Sequence, residues 1–210
     1  MSISIKLLET DKQIANNINL AIAKYLNDLF LNKMSFLVNS VKSIIPNWIM
    51  SQPEILSLMS SDPSSLAGQF GIRGGADNIL SSIISSVVDS TEVKFVKFSN
   101  TLKGGLEFNF QPSSFANLLA LPAGHTIYQD GDLHWLEWLL KRGDSIIVTN
   151  YTYNPSSGLG RSGLGNMIPG GAFRVPPQFS GTEDNNFITR ALIGPVQEKH
   201  LADIFSRIIK

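Results

Sequence analysis

The chain has no cysteine, little charge and no long uninterrupted apolar run. Without cysteine there is no disulfide, no thiol nucleophile and no cysteine-bound zinc site. Charged residues make up 16% of the 210, and 17 basic against 17 acidic residues give a formal net charge of zero. A soluble domain commonly carries about 25% charged residues, so this surface is weakly charged and prone to association. Zero net charge also removes the basic excess that phosphate neutralisation requires. Contact with DNA as the main role would need the charges to segregate into a basic face. The apolar runs are interrupted by Lys, Asn or Ser, and none approaches the roughly 20 residues that span a bilayer. Met1-Ser-Ile-Ser-Ile-Lys-Leu-Leu8 lacks the basic start and long apolar block of a signal peptide. The expected location is the cytoplasm or a particle assembled there, with no membrane partner.

What is present is enough to fill a core: 43% hydrophobic residues, including 12 Phe. The length favours one domain over residues 1–210. Within it, residues 1–90 read as mainly helical, and 91–210 as sheet, hairpin and C-terminal helices.

Thr10-Asp-Lys-Gln13 has the form of a capping box. Ile14, Ile18, Ala21, Ile22, Tyr25, Leu26 and Leu29 then recur at helical spacing to about Phe30. Phe36 to Ile45 continue the pattern after a break expected near Asn32, and Pro46 is expected to end it. Ser51-Gln-Pro-Glu54 reads as a second box, opening a short helix with Ile55, Leu56, Leu58 and Met59 inward. Leu66 to Gly71 suggests one or two helical turns closed by glycine, and Ala76 to Val88 carries a narrow helical stripe.

The period then changes to two. Leu106, Phe108 and Phe110 alternate with Glu107, Asn109 and Gln111, a half-buried strand whose expected partner is Val93 to Phe98. Asp77, Asp89 and Glu92 frame this helix–strand junction as capping and solubilising groups. Phe115 to Leu121 suggests a short helix. Asp132 is placed to cap a helix over Leu133 to Leu140, and Thr182 one over Asn185 to Leu192. Between them Ser145 to Tyr153 is rich in β-branched and aromatic residues. Its partner is Leu164 to Ile168, Ala172 to Val175, or both around Pro169-Gly-Gly171. Arms of that length would reach roughly 25–30 Å at about 3.3 Å per residue. Val196 to Ile209 closes the chain as a helix with Leu201, Ile204, Phe205, Ile208 and Ile209 on one face. Helices first, then strands, then helices make the fold class α+β: N-terminal helices, a small antiparallel sheet with a long projecting hairpin, and C-terminal helices.

Catalytic motifs are thin. Gly158-Leu-Gly-Arg-Ser-Gly163 matches the dinucleotide fingerprint in letters. That fingerprint works only when a helix follows at once, its N-terminus meeting the pyrophosphate, and Leu164 to Gly171 is not a helix start. Ser162 lies between glycines, but Leu164 stands where a nucleophile elbow needs glycine. The bases available to it are His125, His134 and His200. His134 beside Trp135 and Glu137 lacks the further ligands of a metal site. No cofactor or metal is implied. An enzyme reading, a small hydrolase or nucleotide-binding domain using the glycine loop around Ser162, therefore stands as the alternative.

Aromatics and arginines point instead to contact with other proteins. Trp135 and Trp138, three apart on a helix, share a face, which serves either core or interface. Tyr151, Tyr153, Met167 and Phe173 line the two arms of the hairpin, with Arg161 at its tip and Arg174 near its end. Arg161, Arg174 and Arg190 are candidates for pairing with carboxylates of a neighbouring subunit.

The stretch 133–192 resembles structural proteins of large contractile-tailed phages, including those infecting cyanobacteria. The shared features are Trp135-Leu-Glu-Trp-Leu-Leu140, Gly143-Asp144, a strand ending in Tyr151 or Tyr153, and Gly160-Arg-Ser-Gly163. Arg174-Val-Pro-Pro-Gln-Phe-Ser-Gly-Thr182 and Asp184-Asn-Asn-Phe-Ile-Thr-Arg-Ala-Leu192 follow, with a weaker upstream echo in Pro53-Glu-Ile-Leu-Ser-Leu58 and Leu66-Ala-Gly-Gln-Phe-Gly-Ile72. The segment Trp48 to Gly75 is additional. The resemblance implies a neck or tail-completion protein of the virion, a ring between portal vertex and tail tube. It implies six or twelve copies, with portal, other neck, or tail-tube and terminator proteins as partners. DNA would meet it only in passing through the channel.

Overall fold

The computed structural model describes residues 9–72, 76–128, 131–156 and 160–209. The architecture is α+β, with a long N-terminal helix, antiparallel two-stranded sheets and C-terminal helices. The helices are α1 (Asp11–Met50), α2 (Pro53–Met59), α3 (Leu66–Gln69), α4 (Asp77–Ser90), α5 (Ala116–Leu119), α6 (Trp135–Leu140), α7 (Phe187–Leu192) and α8 (Pro195–Ile209). The strands are β1 (Glu92–Val96), β2 (Gly105–Asn109), β3 (Thr126–Tyr128), β4 (Gly131–Leu133), β5 (Ile146–Asn154) and β6 (Asn166–Arg174). They form three separate antiparallel pairs, β1–β2, β3–β4 and β5–β6, where the sequence suggested one small sheet.

The chain divides into two compact units, and each draws on both the early and the late part of the sequence. The first comprises Met1–Val41, Glu92–Asn109 and Leu201–Lys210. Its core is aromatic: Phe30 stacks on Phe95 at 5.4 Å and on Phe205 at 4.8 Å, with Phe98 at 5.9 Å. Ala23, Leu37, Ile204 and Ile208 are buried with it. Asn27 fixes the end of β1 by bonding the Phe98 backbone twice, accepting from its N–H at 2.7 Å and donating to its carbonyl at 3.1 Å.

The second unit comprises Lys42–Thr91 and Phe110–His200. It is built around α6, whose Trp135, Leu136, Leu139 and Leu140 are fully buried. Trp135 stacks on Phe70 at 5.7 Å, and α6 packs on α5 and α7. Asn186 holds the start of α7 through a reciprocal cap with Thr189, and its amide also donates to the Leu140 carbonyl at 3.3 Å. One asparagine thus satisfies free groups at the end of α6 and the start of α7.

Several expected boundaries move. The Thr10–Gln13 box forms, with Thr10 N–H on Gln13 Oε1 at 2.8 Å and Gln13 N–H on Thr10 Oγ1 at 3.4 Å. The helix it opens runs 40 residues without a break at Asn32, and Pro46 lies inside it. A proline within a helix costs about 3 kcal/mol. Ile45, Trp48 and Ile49 around it are at most 5% exposed, and burying three such side chains returns roughly 1.5–3 kcal/mol each, which outweighs the proline. Ser51-Gln-Pro-Glu54 is not a capping box: the α2 cap is Gln52 without a side-chain bond, and Ser51 donates back to the Trp48 carbonyl. Within α2, Ile55 and Leu58 are buried, whereas Leu56 and Met59 are exposed. Asp132 does not cap α6, because it lies in β4 and His134 takes the cap position. Thr182 forms a turn with Asn185, leaving the α7 cap to Asn186. On α8, Ile204 and Ile208 are buried but Ile209 is exposed.

Candidate functional site: the β5–β6 hairpin and the groove beside it

Each arm of the hairpin has nine residues, so the expected length holds. Both alternatives for the partner strand are realised, since β6 continues through Pro169-Gly-Gly171. It can do so because the pairing slips twice, between Ile146 and Val148 and between Thr149 and Tyr151. Asn150 takes the left-handed conformation at φ +63°, and Gly170 and Gly171 do likewise at +107° and +74°. Such bulges kink and twist a strand and leave a place where proline, which has no N–H, is tolerated.

Toward the far end of its two strands the hairpin is fastened to its own unit through Tyr153, Arg161 and Ser162. Tyr153 donates its hydroxyl to the Pro63 carbonyl at 2.6 Å, Ser162 donates to the Gly68 carbonyl at 3.3 Å, and Arg161 donates to the Ile127 carbonyl. Two glycines make the approach possible: a Cβ on either Gly68 or Gly165 would lie 2.5 Å from the Tyr153 hydroxyl. Burial pushes the Tyr153 phenol up, with the Asp62 charge adding to the shift and the Gly165 backbone opposing it. A projecting arm is therefore replaced by a strapped one, and its flank is the surface left exposed.

That flank is apolar. Val148, Tyr151 and Met167 are each at least 36% exposed. Beside them runs a groove of about 360 Å³ whose lining includes Gln69, Asp132, Leu133, Val148, Tyr151 and Met167. Of the residues singled out in the sequence, the structure brings Tyr151, Met167 and Phe173 together here, Phe173 at only 5% exposure. Trp135 belongs to the core, fully buried, and Trp138 is half-buried. Tyr153 and Arg161 turn to carbonyls of their own unit, Arg174 is exposed, and Arg190 pairs with Glu54 of the same unit. Sequence reasoning missed Val148, which stands in the unbroken apolar run Ile146-Ile147-Val148, where no alternation marks the exposed face. It also missed Asp132 and Leu133, which lie on a three-residue strand too short to show a period.

Asp132, which lines the groove, also meets a histidine pair. His125 Nδ1 is 2.7 Å from Asp132 Oδ2, and its ring stacks on His134 at 3.8 Å. Burial, reinforced by the adjacent His125, holds the His134 imidazolium below the ordinary histidine range, against the pull of Glu137, Asp132 and the Leu119 carbonyl. Ser162 bonds the Gly68 carbonyl and the Leu164 N–H, and His200 bonds Trp48 at 2.9 Å. The serine–histidine bond that the hydrolase reading needs is not among the bonds of the described residues. Nor does a helix follow Gly163, since the chain passes directly into β6; Gly158 lies outside the described residues. Among the described residues there is no cluster of three metal-binding side chains, and no helix is long and apolar enough to cross a membrane.

No protein-family model, no curated protein and no solved structure matches the chain.

Proposed function

We propose that the chain is a non-enzymatic structural component of a phage particle, a ring-forming neck or tail-completion protein that helps connect head and tail. The observation that carries this reading is the row Val148, Tyr151 and Met167, exposed along the strapped hairpin beside one groove, in a chain with 16% charged residues and no net charge. Such a row gains stability by leaving water, and its burial between subunits is the work expected of a ring protein. The resemblance of residues 133–192 to proteins of contractile-tailed phages supplies the kind of assembly. The mechanism is burial along the flank of the hairpin, with neighbouring rings as the further partners. It needs no cofactor.

Val148→Glu and Tyr151→Glu place an unpaired charge in that contact without touching the core. Both are expected to reduce the purified chain from its ring to smaller species while the circular dichroism stays unchanged. Imaging of particles carrying a tagged chain is expected to find it in a ring at the neck. Unaltered oligomers in both variants, or a tag located away from the head–tail junction, would overturn the proposal.

A further inference from the structure

The first half of α1 carries two apolar rows, and the fold uses one. Ala23, Phe30, Leu37 and Val41 are buried in the first unit. One residue before the first three stand Ile22, Leu29 and Phe36, which continue Ile18 and Tyr25 in a second row. Successive residues on a helix lie about 100° apart, so the second row points well away from the core. Ile18, Ile22, Tyr25 and Phe36 are 40 to 65% exposed. The steps from 18 through 22, 25, 29 and 32 to 36 alternate four and three, the spacing of a coiled-coil seam. Its single polar member is Asn32.

We infer that α1 packs through this seam against α1 of further copies of the chain, with the helices parallel and in register. The charges beside the seam select both occupant and orientation. With Ile22, Leu29 and Phe36 as one seam position and Ile18, Tyr25 and Asn32 as the other, the flanking positions on one side hold Ile14, Ala21, Asp28 and Ser35. Those on the other side hold Asn19, Leu26, Lys33 and Ser40. In a parallel pair each residue of the first set faces the residue five further along in the neighbouring copy, which places Asp28 against Lys33. In an antiparallel pair each set faces itself, and neither contains a group opposite in charge to its own. Asp28 and Lys33 are both exposed, and neither enters an ion pair with another described residue. Parallel helices about one axis are what cyclic symmetry provides. The inference deepens the ring proposal and rests on it for the presence of several copies.

Because the chain lacks cysteine, single cysteines report the contact cleanly. Ile22→Cys and Leu29→Cys in the full chain are expected to give covalent dimers under mild oxidation, and Lys24→Cys, away from the seam, is not. Lys33→Glu is expected to raise the concentration for half-assembly at least tenfold, and Asp28→Lys combined with Lys33→Glu to restore it. Failure of both seam cysteines to cross-link in an oligomeric chain would overturn the inference and leave the ring standing. Failure of the double exchange to restore assembly, with Lys33→Glu folded by circular dichroism, would also overturn it. A wild-type chain that is monomeric would remove both.

Discussion

Replacing Arg190 by methionine tests the link between α7 and α2. Arg190 is paired with Glu54, whose side chain is 1% exposed and whose Oε2 is buried without a hydrogen-bond partner. Taking away one member of a buried ion pair leaves the other charge uncompensated and costs roughly 3–5 kcal/mol. Arg190 itself is 38% exposed, so water can approach the gap, and the lower end, about 3 kcal/mol, is the expectation. For a chain of this size each kcal/mol moves Tm by about 2–4 °C, giving a fall of roughly 6–12 °C. Glu54→Gln removes the buried charge and leaves an arginine that still reaches water and Asn185, so it is expected to cost only about 1 kcal/mol. The double variant is expected to lie close to Glu54→Gln. Urea unfolding followed by tryptophan fluorescence suits this test, because Trp48, Trp135 and Trp138 all belong to the second unit. If Arg190→Met and Glu54→Gln proved equally mild, the reasoning that Glu54 is held as a buried charge by Arg190 would be refuted.

Three further outcomes follow from the strap, the histidine pair and the proline. Gly165→Val is expected to expel Tyr153 from its seat and speed proteolysis at the hairpin tip, whereas Tyr153→Phe, losing one hydrogen bond, costs only about 1 kcal/mol; equal protease resistance in wild type and Gly165→Val would contradict the strap. The folded chain holds His134 below its unfolded value, so the unfolded state binds the extra proton first and stability falls as pH drops from about 6.5. His134→Gln is expected to flatten that part of the urea-midpoint profile, and an unchanged slope would contradict it. Pro46→Ala restores a helical N–H, and is expected to raise the urea midpoint; a fall would show that the proline is needed where it stands.

Much of the fold was legible where one signal ruled alone. The stripe of α4, the alternation of β2 and the apolar face of α6 each follow from burial on one side, and the Thr10 box from local hydrogen bonding. The errors share a cause in tertiary contact. Pro46 has the local mark of a stop because nothing near it in sequence reveals that Ile45, Trp48 and Ile49 are buried around it. Glu54 has the local mark of a capping group because Arg190, its partner, lies 136 residues away. Asp132 and Thr182 have side chains fit for a cap, but His125 and Asn185 engage them first. Arg161 and Arg190 bond a carbonyl and a carboxylate of their own unit, while Arg174 is exposed. At the site, Tyr151, Met167 and Phe173 are legible from residue type, whereas the strap depends on Gly68 and Pro63, far from the hairpin in sequence.

The central claim is that this chain works by assembling with itself, and native mass spectrometry of the purified full-length chain over a range of concentrations measures that most directly. A closed species of six or twelve copies is expected, holding its stoichiometry as concentration rises. A monomer persisting to the highest concentration, or an open-ended ladder of sizes, would contradict the account.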